Sequence, residues 1–591
     1  VSPSQGEIIW KQTNGPSGGT IGALVENGAG LLWAGTSGGV FRSSDSGNSW
    51  VAINTGLTNL DVAALAVNIA GEVFAGTFGG GVFRSTNNGD IWTAANSGLT
   101  NLQVRALAAN RAGNLFAGTD GGIFRSTDSG RRWQVINAGL TNLQVQAFVI
   151  NAAGDVFAGT NGGGVFRSGN NGNTWTAVNS GLTNLQIRSL EVNAAGDVFA
   201  GVLVGGVFRS TNNGDAWTAM NTGLPLTGLS VNALEVSQSG DLLAGTNGGV
   251  FRFTQSEGRW RPISAGLPQT IVFALLASAN GHLFAGTFGL GLFRSEDQGA
   301  SWTAINTGLT AAIVPALAVN DAGDVFAGTF GGVFRSTNGG QSWTALDTGL
   351  TNTVVRAGLT SGTGHVFAGT GAGVFRSTNN GESWTAINTG LTNLGILALA
   401  ANAAGHVLAG TNGGGVFRST NNGESWTAIN TGLSSSQVNV LMVNAAGDLL
   451  AGTNGGGVFR STNNGESWTA INTGLTSLNI FALLTNAAGD LFAGAVCGGV
   501  FRSRNQGRSW TAINTGLTMT FSDCVNALTV NPAGDLFAGT GAGVYRSGNN
   551  GNSWMAVNSG LTHPRVSALA VDPAERLYAG TEGGGVFRTV R

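Results

Sequence analysis

Apolar residues in this chain come in short runs broken by Gly, Asn, Ser and Thr, and the runs recur in sets of four. In 396–433, Ile396-Leu397-Ala398-Leu399-Ala400-Ala401 is one run, closed by an Ala-Ala-Gly turn. His406-Val407-Leu408-Ala409-Gly410-Thr411 is the second, followed by Asn412-Gly413-Gly414, and Gly415-Val416-Phe417-Arg418-Ser419 is the third. Ser425-Trp426-Thr427-Ala428-Ile429-Asn430 is the fourth. Runs this short, with turn residues at regular spacing and no helical period, predict four antiparallel strands making one small sheet.

The set repeats along the whole chain. Trp50, Trp92, Trp133, Trp175, Trp217, Trp260, Trp302, Trp343, Trp384, Trp426, Trp468, Trp510 and Trp554 recur every 41 to 44 residues, and Trp10 precedes them. A period near 40 residues of strands and turns is the signature of a β-propeller. The predicted fold class is all-β, with fourteen four-stranded blades in two seven-bladed rings and an N-terminal strand closing a ring, which leaves no unpaired edge. Two threadings satisfy the count. In one, the domains are 1–296 and 297–591; in the other, the rings are intertwined by crossings near 253–260 and 547–554.

Most of these Trp close an octapeptide, Ser-x-(Asp/Asn)-x-Gly-x-(Ser/Thr)-Trp. Its hydroxyl and carboxyl or amide groups suit a turn bonded to its own backbone amides, and its Gly suits a positive φ. The motif resembles the Asp-box, or BNR, repeat of sialidases, sortilin-like receptors and family 74 xyloglucanases. That resemblance implies the propeller fold and leaves the activity open, because the box is a structural hairpin in those families. The segment 253–260 has lost the Ser and shifted the Gly.

Composition narrows the partners. Charged residues are 10% of the chain and the net charge is −2, which gives no general attraction to nucleic acid. No apolar run reaches the roughly 20 residues of a membrane span, so no membrane insertion is expected. Lys11 is the only lysine, and many Arg share one repeat position from Arg42 to Arg588, as a structural slot would. A first residue Val1 is what removal of an export signal would leave, and a secreted, cell-surface or periplasmic location is expected.

Departures from the repeat mark the candidate sites. Phe78, Phe288 and Phe330 stand in the turn after the second strand, where other blades have small or polar residues. Each suits stacking on a sugar or a partner surface, or packing on its own crossing. The residue entering the inner strand also varies, and Arg105, Arg188, Phe273, Arg356 and Phe481 join the binding candidates. They ring the expected channel mouths, as a ligand site or as positions free to drift. Cys497 and Cys524 interrupt the repeat on the same face, and a disulfide between them is predicted, two buried thiols being the alternative.

Catalytic groups are scarce. Tyr545 and Tyr578 replace strand Phe residues, and His282, His365 and His406 replace a turn Asp. No cofactor and no metal site are expected, since most boxes carry Asn where a metal needs anionic oxygen. Outside the repeated turns, Glu191 and Glu235 are the weak catalytic candidates, with Asp523 beside Cys524. The expected function is a secreted non-catalytic scaffold or binding module for a protein or polysaccharide at the variable face. The alternative is an endo-β-glucanase similar to family 74 xyloglucanases, cutting with two carboxylates.

Overall fold

The computed structural model describes residues 8–15, 17–361, 364–402, 404–518 and 524–590. Among them are fourteen four-stranded antiparallel sheets, here blades 1 to 14 in chain order, plus one two-stranded pairing. Blade 1 spans 21–52, blade 7 spans 272–304, blade 8 spans 316–345 and blade 13 spans 525–556.

The burial pattern within a blade follows from its sequence. The second strand, such as Val73–Thr77, is buried at every position, because both of its faces lie against neighbouring blades. Its Gly is a packing requirement. A Cβ on Gly76 would sit 2.6 Å from Val104 of the next blade, so only glycine lets the two sheets approach. The third strand, Gly81–Ser85, leaves only its Arg partly open.

Two hydrogen-bonded series tie each blade to the next. Except in Trp343, the indole N–H of each repeat Trp donates to a backbone carbonyl just after the Trp strand of the preceding blade, as Trp92 does to Ile53 at 2.6 Å and Trp175 to Ile136 at 2.8 Å. The third-strand Arg reaches forward to the next octapeptide, Arg125 to the Asn171 carbonyl and Arg376 to the Asn422 carbonyl. The Arg slot read from the sequence is therefore an inter-blade clamp in most blades, whereas Arg84 and Arg209 pair with Glu72 and Asp197 of their own blades. Within the octapeptide, Ser43 Oγ accepts the Gly47 N–H and donates to Asp45 Oδ1, which accepts the Ser49 N–H. The side chain and backbone of Ser49 hold the Asp45 carboxyl below its ordinary range.

The same series show where the rings close. Trp50 donates to Ile305 at 3.0 Å and Arg294 to Ser46 at 2.7 Å, so blades 1 to 7 form one ring. Trp10 donates to Val557 at 2.6 Å and Trp343 to Thr13 at 3.2 Å, so the N-terminal strand belongs with blades 8 to 14. Strand Ile9–Gln12 pairs antiparallel with Val586–Val590 and completes blade 14. The compact units are accordingly ring A, 18–311, and ring B, 1–17 with 312–591.

This threading differs from both sequence readings. The boundary at 296/297 falls inside the hairpin of blade 7, whose Phe293 and Arg294 pair with Ala304 and Thr303. The segment 253–260 carries no crossing either. There Gly249–Thr254 and Arg259–Pro262 extend into a longer regular hairpin, with Phe253 opposite Trp260 and their rings 5.5 Å apart. The octapeptide was replaced by cross-strand pairing, which keeps the hairpin closed without the Ser and Asp contacts.

Candidate functional site

The variable residues converge through a backbone irregularity. In every blade except blade 8, the pairing of the inner strand shifts register after its first residue. The residue inside each shift is a β-bulge position, unpaired and re-aimed. Arg105, Arg188, Phe273, Arg356 and Phe481 all occupy it. Blade 8 has Pro315 just ahead of its inner strand, and Pro cannot donate to a ladder.

In ring B these residues share one cavity of about 210 Å³, lined at its mouth by Pro315, Arg356, Leu397, Asn439, Phe481 and Asn526. Alanines and leucines of the same strands line it below. Asn439 and Asn526 donate to the carbonyls of Ile480 and Val566 in the following blades. Phe481 is 39% exposed, and Arg356 is exposed as well.

The turn aromatics meet the bulge residues. The Arg105 guanidinium lies 4.9 Å from the Phe78 ring centre and the Arg356 guanidinium 5.5 Å from that of Phe330, both cation–π distances. Phe273 and Phe288 stack edge to face at 6.0 Å. Arg105 is also paired with Asp120, its Nη2 donating at 3.0 Å. Three pairs thus come from two independent sets of sequence departures. Phe78, Arg105, Arg188, Phe273 and Phe288 belong to ring A, and Phe330, Arg356 and Phe481 to ring B.

Turns and crossings share this face, as backbone bridges from Phe78 to Gln103 and from Asn161 to Gln186 show. The crossing leucines Leu102, Leu143, Leu185, Leu394 and Leu478 are exposed there, which the sequence reading missed. Their signal was the recurring Thr-Asn-Leu or Ser-Leu before each inner strand, but a periodic apolar residue reads as core. On the opposite side, Ala-Ala-Gly turns meet octapeptides: Asn213 Nδ2 donates to Asp155 Oδ2 at 2.7 Å.

Glu191 and Glu235 lie on the inner strands of consecutive blades, Ile187–Val192 and Val231–Val236. Glu191 Oε1 accepts the Val192 N–H at 2.9 Å, and Glu235 Oε1 accepts the Ala277 N–H of the next blade at 3.0 Å. Surrounding protein raises both carboxyls above their ordinary range, and the charge of Glu191 raises Glu235 further. Both side chains are only partly enclosed by accessible area, so they are densely ringed by protein yet reachable. Elsewhere, acids serve the scaffold. Asp197, Asp448 and Asp535 hold Arg209, Arg460 and Arg546 at 2.6 Å, and Tyr578 donates to the buried Asp572 at 3.0 Å. Asp523 lies outside the described residues.

The cysteines meet through the backbone. Cys497 adopts φ of 54° in the turn after Leu491–Ala495, and its neighbour Val496 bridges to Cys524. Both are thiols in this structure, so the predicted disulfide would belong to an oxidised form of the chain. Among the described residues, no group of three or more His, Cys, Asp or Glu is arranged to hold a metal ion. No helix is long and apolar enough to cross a membrane.

No family model matches this chain, and no curated protein matches it. Solved structures do. The family 74 xyloglucanase of Xanthomonas campestris aligns with a TM-score of 0.65 at 19% identity, covering 99% of this chain and 100% of the other. The family 74 enzyme of Niastella koreensis aligns at 0.62 and 18%, covering 98% and 99%. PorZ, a bacterial surface component of the type-IX secretion system of Porphyromonas gingivalis, aligns at 0.60 and 14%, covering 98% and 87%. At such identities the likeness is one of fold, and the same fold hosts an enzyme and a secretion component.

Proposed function

We propose that this chain is a secreted or surface-displayed, non-catalytic two-ring propeller that binds a protein or glycan partner at the mouths of its rings. The observation that carries the reading is the distribution of acids. Those of the repeat are spent on Arg clamps and turns, while Glu191 and Glu235 each accept a backbone N–H. The bulge residues, by contrast, vary from blade to blade on an otherwise uniform frame. The likeness to PorZ supports a surface role.

A second reading, an endo-β-glucanase, draws on the likeness to family 74 enzymes over nearly the whole chain. Incubation with xyloglucan and other β-glucans, read by reducing ends and product size, separates the two. No cleavage is expected. Endo-cleavage abolished by Glu191→Gln or Glu235→Gln would overturn the non-catalytic reading.

A further inference from the structure

Resting on the ring-mouth reading above, we propose that the cavity of ring B binds a uronate residue of an acidic glycan, with Arg356 taking the carboxylate and Phe481 one face of the sugar. Charge comes first. Among the described residues, Arg356 is the one charged residue lining the cavity, and no acid lines it. Its counterpart Arg105 in ring A is neutralised by Asp120, whereas Arg356 has no ion pair among the described residues. The Arg356 guanidinium lies over the Phe330 ring at 5.5 Å, and a guanidinium can offer a carboxylate two parallel bonds.

Size and lining point to a single sugar ring. The cavity, about 210 Å³ and open to solvent, has room for one six-membered ring with its substituents. Phe481 offers an exposed aromatic face, and the leucine and alanine side chains below suit C–H groups. Asn526 uses Nδ2 on the Val566 carbonyl, leaving Oδ1 to accept a sugar hydroxyl.

An acidic peptide would share the charge and fits less well. One way an extended peptide binds a sheet is by adding to a free strand edge. Here the first carbonyls of the inner strands Ile480–Thr485 and Val566–Val571 are already taken by Asn439 and Asn526. Side-chain amides thus occupy the edge at two positions around the mouth, on blades 12 and 14.

Calorimetry of the full chain with oligogalacturonate, its methyl ester, neutral xyloglucan oligosaccharide and an acidic peptide tests the proposal. Oligogalacturonate should bind, weakening with added salt, and the ester should bind at least about tenfold less tightly. Arg356→Gln should cost about tenfold, Arg356→Lys less, and Phe481→Ala should weaken binding independently of salt. Arg131→Gln, exposed in the octapeptide of blade 3, should change nothing. Equal binding of acid and ester, or unchanged affinity in both Arg356→Gln and Phe481→Ala, would overturn it. Preference for the acidic peptide or for neutral xyloglucan would overturn it while leaving a binding module; endo-cleavage would instead sink the non-catalytic reading.

Discussion

Asp347 offers a sharp test of how the repeat works. In most other blades this position is Asn, which bonds the third strand twice: Asn96 Oδ1 accepts the Val82 N–H at 2.7 Å and Nδ2 donates to the Gly80 carbonyl at 2.9 Å. Asp347 accepts the Val333 N–H at 3.0 Å but, when ionised, has no proton for the equivalent Gly331 carbonyl. Burial pushes its carboxyl up from 3.8 to about 6, against the pull of the Val333 N–H. Between those values the folded chain holds a proton that the unfolded chain has lost, so stability falls as pH rises through this window and is lowest above it. At 1.36 kcal/mol per pKa unit, the cost at pH 7 is at most about 3 kcal/mol, and partial solvent contact reduces it to about 1–2 kcal/mol. Asp347→Asn removes that cost and restores a hydrogen bond worth about 1 kcal/mol. The substitution should therefore stabilise blade 8 by about 2 kcal/mol at pH 7 and by much less below pH about 4, where the neutral carboxyl can donate. Urea unfolding across this pH range, with hydrogen exchange of peptides from 316–345 to locate the transition, measures it. Destabilisation at pH 7, or a gain independent of pH, would refute the reasoning.

Other expectations follow from the same contacts. Glu191 and Glu235 are both raised, so their protonated forms favour the fold: ring A should lose stability as pH rises from the ordinary carboxylate range past neutrality. Glu235→Gln, which keeps an oxygen for Ala277, should flatten that loss in pH-dependent thermal unfolding; an unchanged profile would count against the coupling. Deleting 1–17 removes the Ile9–Gln12 strand and buried Trp10, a Trp loss worth about 3–5 kcal/mol, and should destabilise ring B while ring A exchanges hydrogen as before. A protease nick near 296 should leave both fragments associated, because the cut lies inside blade 7; clean separation into two halves would contradict the pairing. Incubation with oxidised glutathione should convert Cys497 and Cys524 to a disulfide, adding about 3 kcal/mol to ring B, and two titratable thiols persisting under denaturing conditions would rule it out.

Much of this protein was determined by its sequence alone. The strands, the turns, the octapeptide hairpin and the number of blades are local and periodic, and each blade states them again. The Arg slot was legible for the same reason, since repetition at one offset marks a structural contact. What only the tertiary structure decided is which equivalent partner is used. Near-identical repeats give every Trp strand a chemically acceptable third strand, so pairing Ile9–Gln12 with Val586–Val590 and not with Leu292–Ser295 depends on ring closure in space. The same holds for the candidate site. Residue types marked Arg105, Phe273, Arg356 and Phe481 as departures, but a bulge is a relation between two strands, and only their pairing shows that all four take the same unpaired position at the start of an inner strand.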